Sequence, residues 1–127
     1  MIRSSDVKKI LIVDDSSTVR QELRDGITRA GFSVLEAANG AEGWDRAREN
    51  PDVSMVLLDV NMPVLGGLDL LDRLKADPKT ATIPVLMLTT EAEPALVERA
   101  KKSGARGWLI KPVKIEILVG ALRKLTA

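Results

Sequence analysis

Runs of apolar residues interrupt the polar background of this chain at five places, and four of them end on polar side chains. From Lys8 the sequence KKILIVDD is a run of branched residues stopped by two acids, and Ser16 and Ser17 then precede a segment in which Val19, Leu23, Ile27 and Ala30 recur at helical spacing. The pattern predicts a buried strand running into an amphipathic helix. Arg20, Glu22, Arg24 and Asp25 fill the polar side of that helix, Ser16 or Ser17 can cap it, and Gly31 supplies a stop.

The same rhythm continues to the end of the chain. Residues 32–37 read as a short second strand, and residues 41–48 as a modest helix whose Trp44 and Ala47 share an inner face. Pro51 and Asp52 then punctuate the chain before MVLLD, residues 55–59, an uninterrupted apolar run of the kind found in central parallel strands covered on both faces. Asn61, Met62, Pro63, Gly66 and Gly67 make a turn-rich loop, followed by a helix stripe of Leu68, Leu71 and Leu74 that ends near Asp77 and Pro78. Residues 84–89 form another strand, residues 94–103 a helix with Pro94 in its first turn, and Gly104 closes it. Residues 107–110 are the last strand, Lys111 and Pro112 interrupt it, and Val113, Ile115, Leu118, Val119 and Leu122 mark the final helix. Strict alternation of strand and helix, with expected connections of about two to six residues, predicts an α/β fold: one parallel sheet with helices on both faces.

Composition narrows the chemistry. The chain has 127 residues and neither Cys nor His, which excludes disulfides, zinc fingers, thiol nucleophiles and triads that need a histidine. With 19 Lys plus Arg against 18 Asp plus Glu, dispersed among one another, nucleic-acid binding is not expected. No stretch reaches the length of apolar sequence needed to span a membrane, and the opening MIRSSDVKKI lacks the apolar segment of a signal peptide, so the cytoplasm is the expected location. A single domain over residues 1–127, with its core at about 8–125 and no output domain, is the expected organisation.

The polar residues at the strand ends carry the functional reading. Asp14 and Asp15 follow the first strand, Asp59 ends the third, Thr89 and Thr90 end the fourth, and Lys111 follows the fifth. In a parallel sheet these ends lie along one edge, where open α/β proteins hold ligands. An Asp after a strand is by itself an ordinary cap or turn former. A joint placement of three carboxylates, two hydroxyls and one ammonium is not accounted for by capping. Three clustered acids without His favour a hard cation such as Mg²⁺. A bound Mg²⁺ together with Lys111 and a Thr hydroxyl would suit a phosphoryl group.

These residues also carry a family resemblance. ILIVDDS at 10–16, LLDVNMPVLGG at 57–67, LTTEAE at 88–93 and GWLIKP at 107–112 resemble, in order and spacing, the receiver domain of two-component response regulators, and most closely the free-standing chemotaxis (CheY-like) type. The resemblance implies a flavodoxin-like (βα)5 sheet of strand order 2-1-3-4-5. It implies that Asp59 accepts a phosphoryl group from a phosphohistidine on a histidine kinase of the CheA kind. Mg²⁺ or Mn²⁺ would be held by Asp15, Asp59 and the main-chain carbonyl of Asn61, with Asp14 orienting metal-bound water. Lys111 would balance charge, Thr90 (through its main-chain N–H) and Val60 would contact the phosphoryl group, and Thr89 with Trp108 would form the conformational switch. Output would pass through the surface of the fourth helix, fifth strand and fifth helix, to a flagellar motor switch protein or a phosphatase.

Two positions depart from the commonest pattern of that family. Trp108 stands where Tyr or Phe is more usual, and Thr90 where the chemotaxis type often has Ala. Lys111-Pro112 is a candidate cis bond by the same resemblance. Trp44 is read as a packing residue, and Arg99, Lys101 and Lys102 as a solvated helix face rather than a docking patch. Two alternatives to a chemotaxis output are a phosphate shuttle or sink in another relay and an interaction adaptor independent of phosphorylation. A hydrolase of the haloacid-dehalogenase kind is disfavoured because its DxDx[TV] motif is absent.

Overall fold

The structure is a computed structural model that describes residues 7–62, 64–91 and 93–127. Its elements follow in strict alternation: β1 (Lys9–Val13), α1 (Ser17–Arg29), β2 (Ser33–Ala37), α2 (Gly40–Glu49), β3 (Val53–Asp59), α3 (Gly67–Ala76), β4 (Val85–Thr89), α4 (Pro94–Lys102), β5 (Gly107–Ile110) and α5 (Ile115–Leu125). All strand pairings are parallel, and the sheet order is β2-β1-β3-β4-β5. This is the expected doubly wound α/β architecture. Pro63 of the expected turn and Ala92 of LTTEAE lie outside the described residues.

The apolar runs do not alternate with polar residues because the sheet is covered on both sides. Leu11, Val13, Val56, Leu58, Val85 and Met87 face one core, closed by residues of α2, α3 and α4 such as Ala47, Leu70, Leu71, Leu74 and Ala100. Ile10, Ile12, Met55, Leu57, Leu86 and Leu88 face a second core under α1 and α5, where Leu23, Ile27, Leu118 and Leu122 pack. Each fully buried Leu or Ile contributes about 1.5–3 kcal/mol of transfer free energy.

Local signals set the helix ends. The hydroxyl of Ser16, not that of Ser17, caps α1 by accepting from the Val19 N–H, and the Asn39 side chain caps α2 by accepting from the Glu42 N–H. After α1 and α4 the chain turns at Gly31 (φ 99°) and Gly104 (φ 100°), backbone conformations that favour glycine. Pro94 starts α4 without loss, since a first-turn N–H has no helical partner. Val113 precedes α5 rather than lying inside it, and the Lys111-Pro112 bond is cis.

Two connections exceed the expected length: residues 60–66 before α3 and residues 77–84 after it. The second is tied internally. Buried Thr80 donates its hydroxyl to the Leu74 carbonyl at 2.6 Å, and Lys75 Nζ donates to the carbonyls of Ala81 and Ile83 at 3.2 and 2.8 Å. A lysine used in this way closes a longer connection without an element of its own. Trp44 is half-buried against the first core with the Arg48 guanidinium over its ring, as a packing residue should be. Arg99 joins α4 to α3 through Asp69 and Asp72, and Lys102 pairs with Glu98.

Candidate functional site

Strand register assembles the site. Val13 pairs with Leu58, so Asp14 leaves β1 beside the end of β3, where Asp59 stands. Asp59 pairs with Leu88, Thr89 lies one residue further along β4, and Thr89 pairs with Ile110, immediately before Lys111. Asp14, Asp15 and Asp59 accordingly offer carboxylate oxygens that all lie within 4.8 Å of one another. Asp14 and Asp59 are buried, at 0% and 5% exposure, whereas Asp15 is exposed to solvent.

Every hydrogen-bonding group of Asp14 is engaged. Its N–H donates to the Ala37 carbonyl at 3.1 Å, extending the β1–β2 ladder, and its own carbonyl accepts from Arg20 Nη1 at 2.6 Å. One carboxylate oxygen accepts the Ser16 N–H at 2.9 Å, and the other accepts Lys111 Nζ at 2.5 Å. Lys111 Nζ also lies 3.3 Å from Asp59 Oδ1.

The charges do not balance. Burial pushes the Asp59 carboxyl up and the negative charge of Asp14 pushes it further, while Lys111 and the Asn61 N–H pull it down; the outcome is a value of about 6. For Lys111, burial acts downward, but the carboxylates of Asp14 and Asp59 override it and hold the ammonium above its ordinary value. One ammonium thus contacts two carboxylates, while Asp15 stands in the same cluster without a contact to it. A further hard cation fits this donor set on chemical grounds: all the donors are oxygens, two of the acids are buried, and their mutual repulsion is incompletely cancelled.

The remaining expected residues are distributed unevenly. Thr89 is buried, and its hydroxyl accepts the Glu91 N–H at 3.1 Å. Thr90 is exposed at the rim of a groove of roughly 610 Å³ that also contains Lys111 and runs between α1 and α5. Trp108 is half-buried against the first core, with an indole N–H that is buried and finds no partner among the described residues. Asn61 is exposed, and its main-chain N–H acts to lower the Asp59 carboxyl. Val60 has its side chain buried in the first core, and its N–H donates to the Leu88 carbonyl at 3.0 Å.

Two residues not singled out for the site prove to shape it. Gly67 lets the start of α3 approach the acceptor strand: a Cβ there would sit 2.1 Å from the Asp59 carbonyl oxygen and 2.8 Å from Val60 Cα. Arg20, expected on the polar side of α1, folds back onto the Asp14 main chain. The sequence signal was its place one turn into the helix that follows the acidic pair.

Fold and site together define an α/β signalling domain whose acidic crevice, at the carboxyl ends of parallel strands, is of the kind that handles phosphoryl groups. The chain belongs to the response regulator receiver domain family, whose profile matches residues 10–123. It is 40% identical over 111 residues to chemotaxis protein CheY1 of Helicobacter pylori, covering 87% of this chain and 90% of that protein. It is also 40% identical over 120 residues to protein PilH of Pseudomonas aeruginosa, covering 94% and 98% respectively. Among solved structures, chemotaxis protein CheY4 of Vibrio cholerae superposes with a TM-score of 0.88 at 35% identity, covering 94% of this chain and 98% of that one. A chain of the CheX-CheY-BeF3-Mg complex of Borrelia burgdorferi also reaches 0.88, at 25% identity, over 94% of this chain and 90% of that one. The protein is a CheY-like receiver domain bearing, in Asp14, Asp15 and Asp59, the acidic phosphorylation-site cluster of Mg²⁺-dependent signalling proteins of this type. Among the described residues no helix is long and apolar enough to cross a membrane.

Proposed function

We propose that Asp59 is the phosphoacceptor, taking its phosphoryl group from a phosphohistidine on a partner histidine kinase, and that the product signals by binding a partner protein in a chemotaxis pathway. The observation that carries this reading is the Asp59 carboxylate itself. It is buried at the end of the central strand, raised to about 6, and 3.3 Å from the Lys111 ammonium. In the transfer, an Asp59 oxygen forms a bond to phosphorus while the bond from phosphorus to the histidine nitrogen breaks; that nitrogen keeps the electron pair.

Asp15, Asp59 and the Asn61 carbonyl would hold Mg²⁺, with Asp14 as their buried neighbour. The ion would supply positive charge to the phosphoryl oxygens as negative charge moves between donor and acceptor. Lys111 supplies the fixed part of that charge from the other side. It is already held between two carboxylates and loses little freedom when it turns to a phosphoryl oxygen. Thr89 is one residue beyond the acceptor's level, and its hydroxyl would exchange the Glu91 N–H for the new phosphoryl group, with Thr90 offering its main-chain N–H. A charge gain of about −1.5 to −2 then biases the packing of Trp108 and the surface of α4, β5 and α5. A motor switch protein or a phosphatase is the expected class of partner there.

Chemotaxis is favoured by relatives that carry that name at 40% identity over most of both chains. Transfer of label from a phosphorylated chemotaxis kinase to the parent and to Asp59→Asn tests the assignment. Label on the parent alone, lost on chelation, is the expected result; undiminished label on the variant would remove Asp59 from the role.

A further inference from the structure

Outside the acid cluster, the most developed polar network described in the structure joins α1 to the edge strand β2. Arg24 Nη1 donates to Glu36 Oε2 at 2.8 Å, Glu36 Oε1 accepts Arg20 Nε at 3.2 Å, and Arg20 Nη1 donates to the Asp14 carbonyl at 2.6 Å. The chain of contacts therefore runs from the surface of the helix to the main chain of a buried site acid. Arg20 and Glu36 side chains are only 17% and 29% exposed, so this is not a solvated surface pair.

The Asp14 carbonyl belongs to the peptide that links Asp14 to Asp15. β1 ends at Val13, and the ladder that holds the Asp14 N–H gives its carbonyl no strand partner; Arg20 is the donor that engages it. Fixing that oxygen fixes the plane of the peptide, and with it the direction in which the chain presents the carboxylate of exposed Asp15 toward buried Asp59. A guanidinium suits the task because its planar fork bonds the carbonyl through Nη1 while Nε is held by Glu36, so its orientation is set from behind. Arg24 in turn holds Glu36.

We infer that Arg20 is a positioning residue for the metal site, setting the Asp14–Asp15 peptide, and that Glu36 acts through Arg20. The inference rests on the reading of Asp15 and Asp59 as Mg²⁺ ligands. Its sign separates it from a simple field effect. Removing a positive charge near an acidic site should tighten cation binding by electrostatics alone, whereas loss of a positioning contact weakens it. Outer partners of metal ligands commonly contribute about tenfold or more in metal affinity.

The test is calorimetric titration of the unphosphorylated full chain with Mg²⁺, alongside thermal unfolding in chelator. For Arg20→Gln we expect Mg²⁺ affinity to fall about tenfold. Arg20→Lys, which keeps the charge but lacks the planar fork that fixes the direction of both bonds, should fall by a smaller factor. The double variant Arg20→Gln with Glu36→Gln should lose less than the sum of the two single losses, because Glu36 acts through Arg20. Unchanged or tighter binding in both Arg20 variants overturns the inference, as do additive losses in the double variant. Should Arg20→Gln fail to fold, the charge-preserving Arg20→Lys decides the question. Failure of the parent itself to bind Mg²⁺ would overturn the metal reading, and this inference with it; binding by the parent with no change in the variants overturns this inference alone.

Discussion

Lys111 is bonded more closely to Asp14 than to Asp59: its Nζ is 2.5 Å from Asp14 Oδ2 and 3.3 Å from Asp59 Oδ1. Before phosphorylation, then, the lysine is chiefly the counterion of the fully buried acid, and the acceptor is left incompletely compensated. That division explains why burial and Asp14 together win over Lys111 at Asp59.

Lys111→Met should destabilise the metal-free protein by about 3 kcal/mol, because it strands two buried carboxylates. The folded-state value of Lys111 is raised, so its contribution is complete below the ordinary lysine value and is lost as pH rises through the raised one. At neutral pH the loss is therefore seen in full by urea denaturation in chelator, and Mg²⁺ should restore part of it. Equal midpoints for parent and variant would contradict the counterion role.

Asp59→Asn should act in the opposite direction. With the folded-state carboxyl raised from 3.8 to about 6, the folded protein binds more protons than the unfolded chain between those values, so parent stability falls as pH rises through that window. Above it the folded state carries the whole penalty, about 1–3 kcal/mol at 1.36 kcal/mol per pH unit. Unfolding in chelator should show the variant more stable at pH 7.5 and no different near pH 3.5. Added Mg²⁺ should stabilise the parent more than the variant.

Gly67→Ala should cost about 2–3 kcal/mol by overpacking. The new methyl meets backbone atoms of Asp59 and Val60, which cannot rotate away as a side-chain tip can. Because those atoms belong to the acceptor segment, initial rates of labelling should fall together with stability. A variant with a native midpoint and native labelling would show that the approach of α3 to β3 is not needed.

Thr90 stands exposed at the rim of the groove that contains Lys111. Replacement by Ala removes a methyl and a hydroxyl from the approach to the acyl phosphate while keeping the main-chain N–H. The decay of phosphorylated Thr90→Ala should be faster than that of the parent by a factor of about 2–10, within about 1.4 kcal/mol of barrier. Identical decay curves would remove Thr90 from control of access.

Most of the architecture could be read from the chain because both faces of the sheet are buried. Runs such as MVLLD leave little choice but a covered strand, and the polar residues that end them then fall along one edge. The positions that could not be read depend on contacts between segments distant in sequence. Arg20 has the spacing of a solvent-facing helix residue, and only the path of the chain after β1 brings Asp14's carbonyl within its reach. The connection at residues 77–84 is longer than expected and is held without regular structure, Lys75 bonding two of its carbonyls and Thr80 tying it back to the Leu74 carbonyl of α3. Val64 is another such case, a β-branched residue at φ 72° in the loop beside the acceptor, where turn composition alone indicated only a bend.

The two cores lie on opposite faces of the sheet, and adjacent residues of a strand serve different ones: Trp108 packs in the first, Leu109 in the second. Substitutions under α2 and α3 are thereby separated from substitutions under α1, and changes without shared contacts tend to add. A lineage of such domains can remodel one layer while the other is held constant. The exception is the edge where α4 belongs to one layer and α5 to the other, with β5 between them. A side chain altered there is answerable to both layers at once, so that edge is placed to report a change in either.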